Sequence, residues 1–308
     1  MLAYSLMKLM SRIACVQPTC FNDALAYALG QIGWLATPKW RRYMAKENVK
    51  ECLGVSETEA ERIAKESVTR FGRMLIEVLR YPLINQANFR NLVHFEGLEH
   101  LEEAYAEGRG VIMCTAHYGN WEMLGASMAL LGYPILSITR KQNDGDADRF
   151  INEYRQMVGQ HVTYNHGKSS MLSIGRYLKD KHLVGILYDQ DSAHTGEHLE
   201  LFGKPARVPD GAAQLARVFK APIVPLFMHN QPDGTLTAVI HPCFHADPQL
   251  SREENSHVIM EKLIRIAEEE IRRDPAMWFW VHDRWKDGKR RYRDRKHFST
   301  PMTGCLLY

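Results

Sequence analysis

A chain of 308 residues, 45% of them hydrophobic, can bury a sizeable core as one large domain or as one domain with an appendage. A net charge of only +3 argues against a generally basic nucleic-acid binder. Cys15, Cys20, Cys52, Cys114, Cys243 and Cys305 are scattered, with no CxxC pair and no histidine at zinc-ligand spacing, which argues against a disulfide framework or a zinc module. Reduced thiols in a cytosol-facing protein are expected.

Residues 1–50 are expected as a membrane-associating N-terminal unit, of which residues 1–42 are apolar and end in a cationic cluster at Lys39, Arg41 and Arg42. The longest uncharged stretch, Ala24 to Pro38, falls short of the about 18 to 20 residues of a spanning helix, and Lys8, Arg12 and Asp23 interrupt the rest. Without a compact basic-then-apolar block and a small-residue cleavage site, a removed signal peptide is not expected. The segment reads as amphipathic helices lying in a membrane interface, anchored by Trp34, Trp40 and the basic cluster; the competing reading is ordinary helices packed on the core.

Residues 51–290 form the expected main domain. From Ser56 to Arg80, Ser56 with Glu59 three residues on marks a helix start, apolar residues recur at helical spacing, and Pro82 stops the run. Continuous apolar runs follow at 110–117, 133–140, 182–190, 221–229 and 235–242, the earlier ones separated by helix-length connections. Such runs predict an α/β fold with a mostly parallel sheet flanked by helices. The last two are close enough to form a hairpin about Pro232-Asp233-Gly234. A long helix over roughly 251–273 precedes "MWFWVHDRWK" and a basic tail, 291–308. The stretch 286–297 holds seven Lys/Arg against two Asp, a charge suited to anionic lipid, phosphorylated sugar or an acidic carrier protein. No recognised nucleic-acid motif accompanies it, so no nucleic-acid partner is expected.

In a sheet of this kind functional groups gather where strands end. His117 closes the first run, Arg140 the second, Asp189 and Asp191 the third, and Arg207 lies in a loop before the next helix. Five positions turn a regular helix by about 500°, so His117 and Glu122 in "HYGNWE" cannot meet on one helix, and the motif must bend. Gly119 can supply the turn, and Asn120 can cap a helix that starts at Trp121 and holds Glu122 in its first turn. A carboxylate there could fix the imidazole tautomer and leave the other ring nitrogen to take a proton from an incoming nucleophile. A strand-end histidine and a capping charge would give the same spacing. There is no GxSxG elbow, and no Ser or Cys stands beside a base in the sequence. A base without a protein nucleophile suits transfer to a substrate hydroxyl from an activated donor such as a thioester. "NHGKSS" (165–170) fails as a phosphate loop because Val162 stands where glycine is required, and His194 with His198 lacks an HExxH context. No cofactor and no metal are expected.

"HYGNWE" resembles a block of the lipid A late acyltransferases, the lauroyl and myristoyl transferases of the lysophospholipid acyltransferase superfamily. In the same order "TRKQND" (139–144), "YDQDSAHTG" (188–196), "LFGKPARVPDGAAQLA" (201–216) and "MWFWVHDRWK" (277–286) are similar to that family's later blocks, over roughly residues 1–290. The resemblance implies transfer of a fatty acyl chain from an acyl-carrier-protein thioester to a glycolipid hydroxyl at the cytoplasmic face of the bacterial inner membrane, bound peripherally or by a single N-terminal anchor. It implies His117 as general base, Glu122 as its orienting partner, and Arg140, Asn143, Asp189, Asp191 and Arg207 as substrate-side groups. Arg140 would bind phosphate or stabilise an oxyanion. The aspartates are left between holding Arg140 or nearby backbone and contacting sugar hydroxyls. Lys141-Gln142 stands where many members have Arg-Pro, and Asp283 interrupts the terminal block's usual His-Arg-Arg. Within the same chemistry, an acyl-CoA donor with another glycolipid acceptor, such as a phosphatidylinositol mannoside, is the alternative.

Overall fold

The computed structural model describes residues 2–165, 168–191 and 196–285. His194 and the basic tail lie outside the described residues. The chain opens with helices α1 (Leu2–Val16), α2 (Thr19–Ala36), α3 (Lys39–Leu53) and α4 (Glu57–Leu79). Ser56 caps α4, its hydroxyl accepting from the Glu59 amide at 3.2 Å. Then come β1 (Val93–Glu96), α5 (Leu98–Ala106), β2 (Val111–Thr115), α6 (Trp121–Leu130), β3 (Ile135–Thr139), α7 (Gly145–Met157), β4 (Gln160–Tyr164), α8 (Lys168–Lys179) and β5 (Leu183–Leu187). A hairpin of β6 (Glu197–Leu201) and β7 (Lys204–Val208) leads to α9 (Gly211–Phe219), β8 (Ile223–Asn230), β9 (Leu236–Ile240) and α10 (Arg252–Arg273).

The main sheet has seven strands in the order β1-β9-β8-β2-β5-β3-β4. All its pairings are parallel except β8 with β9, the expected hairpin, so the carboxyl ends of β8, β2, β5, β3 and β4 share one edge. Every residue of β2 is buried. Ile112 and Cys114 point into the core under α8, α9 and α10, while Val111 and Met113 point into the core under α5, α6 and α7. That burial on both faces is why the strand reads as an unbroken apolar run rather than an alternating one.

The N-terminal helices pack on this body. Gly30 of α2 and Gly72 of α4 meet at a backbone crossing so close that a Cβ on Gly30 would lie 2.2 Å from the Thr69 carbonyl oxygen, and one on Gly72 2.0 Å from that of Ala26. Trp34 is buried in the core with Val68, under the Arg42 guanidinium, so it does not serve as the membrane anchor its position in the sequence suggests. Leu2, Leu6, Leu9, Ile13 and Val16, by contrast, form one exposed apolar stripe along α1 at i, i+4, i+7 spacing, and Phe21, Leu25, Ile32 and Leu35 are exposed on α2. Among the described residues no helix is long and apolar enough to cross a membrane.

Candidate active site

The loop between β2 and α6 takes the bend that "HYGN" requires. Gly119 has φ +56°, and a Cβ there would fall 1.7 Å from the Met228 carbonyl oxygen; a side chain is thus barred by both backbone conformation and space. Asn120 caps α6 by accepting from the Met123 amide at 2.8 Å, and its amide group donates to Glu77 of α4. The C-terminal block pins the loop from the other side: Phe279 N–H donates to the His117 carbonyl at 3.1 Å and Gly119 N–H to the Met277 carbonyl at 3.0 Å.

His117 Nδ1 lies 2.8 Å from Asp189 Oδ1, which follows the adjacent strand β5. Trp278 Nε1–H donates to the other Asp189 oxygen at 2.8 Å. Burial pushes the Asp189 carboxyl up, yet the imidazole and the indole N–H outweigh it and hold the group well below its usual range. An ionised Asp189 fixes the proton on Nδ1 and leaves Nε2 as acceptor. The His117 side chain is 22% exposed and that of Asp189 6%, so the imidazole, not the carboxylate, presents to solvent. The Gln190 amide is 3.3 Å from Nε2, and the Trp121 ring stacks edge-on to the imidazole at 5.0 Å between centroids. Trp121, Phe71 and Phe279 form an apolar wall beside it.

The residue that hydrogen-bonds His117 is therefore Asp189, where the spacing of the motif points to Glu122. Glu122 sits in the first turn of α6, as the cap predicts, but both its oxygens accept from Arg155 of α7, at 2.8 and 2.6 Å. Burial raises the Glu122 carboxyl and Arg155 more than offsets it, so the pair is ionised. Arg140 and Asn143 lie exposed in the loop after β3, at the same sheet edge as His117. Arg207 lies on β7 instead of in a loop, its Nε 3.6 Å from Asp191. Buried Arg284 donates to the Arg207 carbonyl at 2.7 Å.

Sequence reasoning passes over Trp278, Gln190 and Arg155. Trp278 is inside a block already singled out, and Gln190 stands between the two aspartates of another. For Arg155 the only signal is a cation on the same face of an amphipathic helix as Asp148 and Asn152.

The geometry is a tautomer-fixed base, its other ring nitrogen near the Gln190 amide, beside an apolar wall. The sequence matches the model of the family described as bacterial lipid A biosynthesis acyltransferase over residues 10–287. A phosphatidylinositol mannoside acyltransferase of Mycobacterium tuberculosis is 27% identical over 223 residues, 65% of this chain and 70% of that protein. A lipid A biosynthesis palmitoleoyltransferase of Escherichia coli is 26% identical over 262 residues, 83% of each chain. A lipid A biosynthesis acyltransferase of Haemophilus influenzae is 24% identical over 272 residues, 86% of this chain and 81% of that protein. With a family match spanning most of its length and an α/β body to carry it, this chain belongs to the bacterial lipid A biosynthesis acyltransferase family, and is an O-acyltransferase acting on a glycolipid.

Proposed function

We propose that the protein moves a fatty acyl chain from an acyl-carrier-protein thioester to a hydroxyl of a lipid A precursor, with His117 as general base and Asp189 as the carboxylate that orients it. The observation that carries this reading is the 2.8 Å contact between His117 Nδ1 and Asp189 at the carboxyl edge of the sheet, which leaves Nε2 of a partly exposed imidazole to act as the base. Nε2 takes the acceptor's hydroxyl proton as the oxygen attacks the thioester carbonyl carbon. The tetrahedral intermediate collapses by breaking the C–S bond, and the imidazolium returns its proton to the departing thiolate. No covalent acyl-enzyme is required, because the thioester is already activated. Asp189 stabilises the transient imidazolium, and Arg140 and Asn143, exposed in the loop after β3, are the groups assigned to a phosphorylated headgroup or a developing oxyanion in this reading.

The exposed apolar stripe of α1 and the apolar residues of α2 support attachment to a membrane surface, the cytoplasmic face of the inner membrane in this reading. The mycobacterial relative favours a second acceptor, a phosphatidylinositol mannoside, with acyl-CoA as the corresponding donor.

The test is a turnover assay in vesicles, pairing acyl carrier protein or CoA thioesters with a lipid A precursor or a phosphatidylinositol mannoside, the product read by mass. Acyl transfer to the lipid A precursor is expected, with a loss of roughly 10³-fold or more in His117→Ala. A folded His117→Ala protein with full activity would refute the mechanism, and transfer only to the mannoside would move the acceptor to the second reading.

A further inference from the structure

Glu122 belongs to the sequence block that carries His117 and its field reaches that histidine, yet both its oxygens accept from Arg155, and from Arg155 the hydrogen bonds continue away from the histidine. Arg155 NH1 donates to Asn152 Oδ1 at 3.2 Å, and Asn152 Nδ2 lies 3.3 Å from Asp148 Oδ2. Asp148, Asn152 and Arg155 sit at i, i+4 and i+7, so they share one face of α7. Asp148 Oδ2 also accepts from the Tyr164 hydroxyl at 2.5 Å, and its Oδ1 accepts from the backbone N–H of Gln142 at 2.8 Å. Gln142 lies between Arg140 and Asn143 in the exposed loop. The loop's far end is fixed separately, since Asp144 caps α7 by accepting from the Ala147 amide at 2.9 Å.

We propose that Asp148 is a positioning residue for the acceptor: held by Tyr164, Asn152 and the buried Glu122 and Arg155 pair, it fixes the backbone of residues 140–144 so that Arg140 and Asn143 meet the phosphorylated headgroup. Glu122 thereby serves acceptor placement and not proton transfer. Two features carry this. Asp148 is 7% exposed and its hydrogen bonds converge on one loop amide and the groups that brace it. A buried ion pair kept only for stability gains little over apolar packing, whereas a satisfied polar chain ending on a backbone N–H fixes one loop conformation. Short exposed loops have many conformations otherwise, and a headgroup that must select one binds more weakly by that fraction.

The inference rests on the reading that Arg140 and Asn143 face the acceptor, and two measurements keep its failure distinct from that of the reading. The first needs no turnover: amide hydrogen exchange at Gln142 is expected to be protected in the wild-type protein and to accelerate roughly tenfold or more in Asp148→Ala. The second is steady-state kinetics with the lipid A precursor and the phosphatidylinositol mannoside as acceptors. In Asp148→Ala the acceptor KM is expected to rise roughly tenfold, the donor KM to stay within about twofold, and the acid limb of the rate profile not to move; Tyr164→Phe gives a smaller rise and Asp148→Asn restores much of the loss. Tyr164→Phe and Asp148→Asn decide the matter if Asp148→Ala does not fold. An unchanged Gln142 exchange rate overturns the relay. Faster exchange with an unchanged acceptor KM overturns its role in acceptor placement. A Glu122→Gln variant that loses kcat as far as Asp189→Asn, with the acceptor KM unchanged, would return Glu122 to the histidine. If neither acceptor is turned over by the wild-type protein, the proposed function fails while the exchange result still judges the relay.

Discussion

Asp189 and Glu122 are two buried carboxylates beside one histidine loop, and their partners set them apart. Asp189 accepts from an imidazole and an indole, and although its field also reaches buried Arg284, its hydrogen bonds leave it a negative charge next to His117. Glu122 is met by a guanidinium on both oxygens and is neutralised where it stands. A carboxylate in direct contact with the imidazole gains more when an imidazolium forms than one already held by a bidentate guanidinium, whose field at a distance is reduced by its partner. Proximity in sequence favours Glu122, and the electrostatics favour Asp189.

The largest expected effect separates the two directly. Asp189→Asn removes the charge that fixes the tautomer and stabilises the imidazolium, and kcat is expected to fall by roughly 10² to 10⁴-fold. Glu122→Gln keeps the Asp189 contact and is expected to lose far less kcat. Should the two variants lose kcat equally, the distinction between the carboxylates collapses.

Next comes stability, where the order reverses. Glu122→Ala strands Arg155 in a site where its side chain is 9% exposed, and breaking a buried pair from one side costs about 3 to 5 kcal/mol. A Glu122→Leu/Arg155→Met double variant is expected to recover most of that loss in a denaturant titration, because no charge remains unpaired. Additive losses in the double variant would mean the two residues are not coupled, against the bidentate contact.

How much of this was open to sequence reasoning depends on distance along the chain. The bend at Gly119, the Asn120 cap and the start of α6 at Trp121 follow from local rules and hold in the structure. So do α4, α10 and the apolar runs that became β2, β3, β5, β8 and β9. The partner of His117 is 72 residues away and is chosen by which strands lie side by side. Neighbours in a parallel sheet are decided by crossover packing and leave no mark at either strand. The strands that went unread are short or polar. β1 has four residues and pairs only with β9, late in the chain, while β4 is a half-exposed edge strand of sequence Gln-His-Val-Thr-Tyr. The hairpin holding Arg207 turns on Phe202-Gly203, both with positive φ, and Phe is an uncommon residue for that conformation.

A third carboxylate touches the same loop from behind and should matter least to catalysis. The Tyr118 hydroxyl donates to the Glu270 carbonyl at 3.0 Å, and the Glu270 carboxylate meets His229 at 2.7 Å and His241 at 2.9 Å. Burial pushes this carboxyl up, but the two imidazoles bring it from 4.5 down to about 2. A folded-state value below the unfolded one means that the stability it contributes is complete above pH 4.5 and is lost as pH falls toward about 2. Glu270→Gln should therefore lie below the wild-type protein in urea midpoint at pH 7 and 5, and the gap should narrow at pH 3. Its kcat should stay within a few-fold of wild type, because Tyr118 is held through the Glu270 backbone, which the substitution keeps. A gap that stays constant from pH 7 to pH 3 would mean that the histidines do not respond to this charge. A large loss of kcat would place Glu270 with Asp189, among the carboxylates that act on His117.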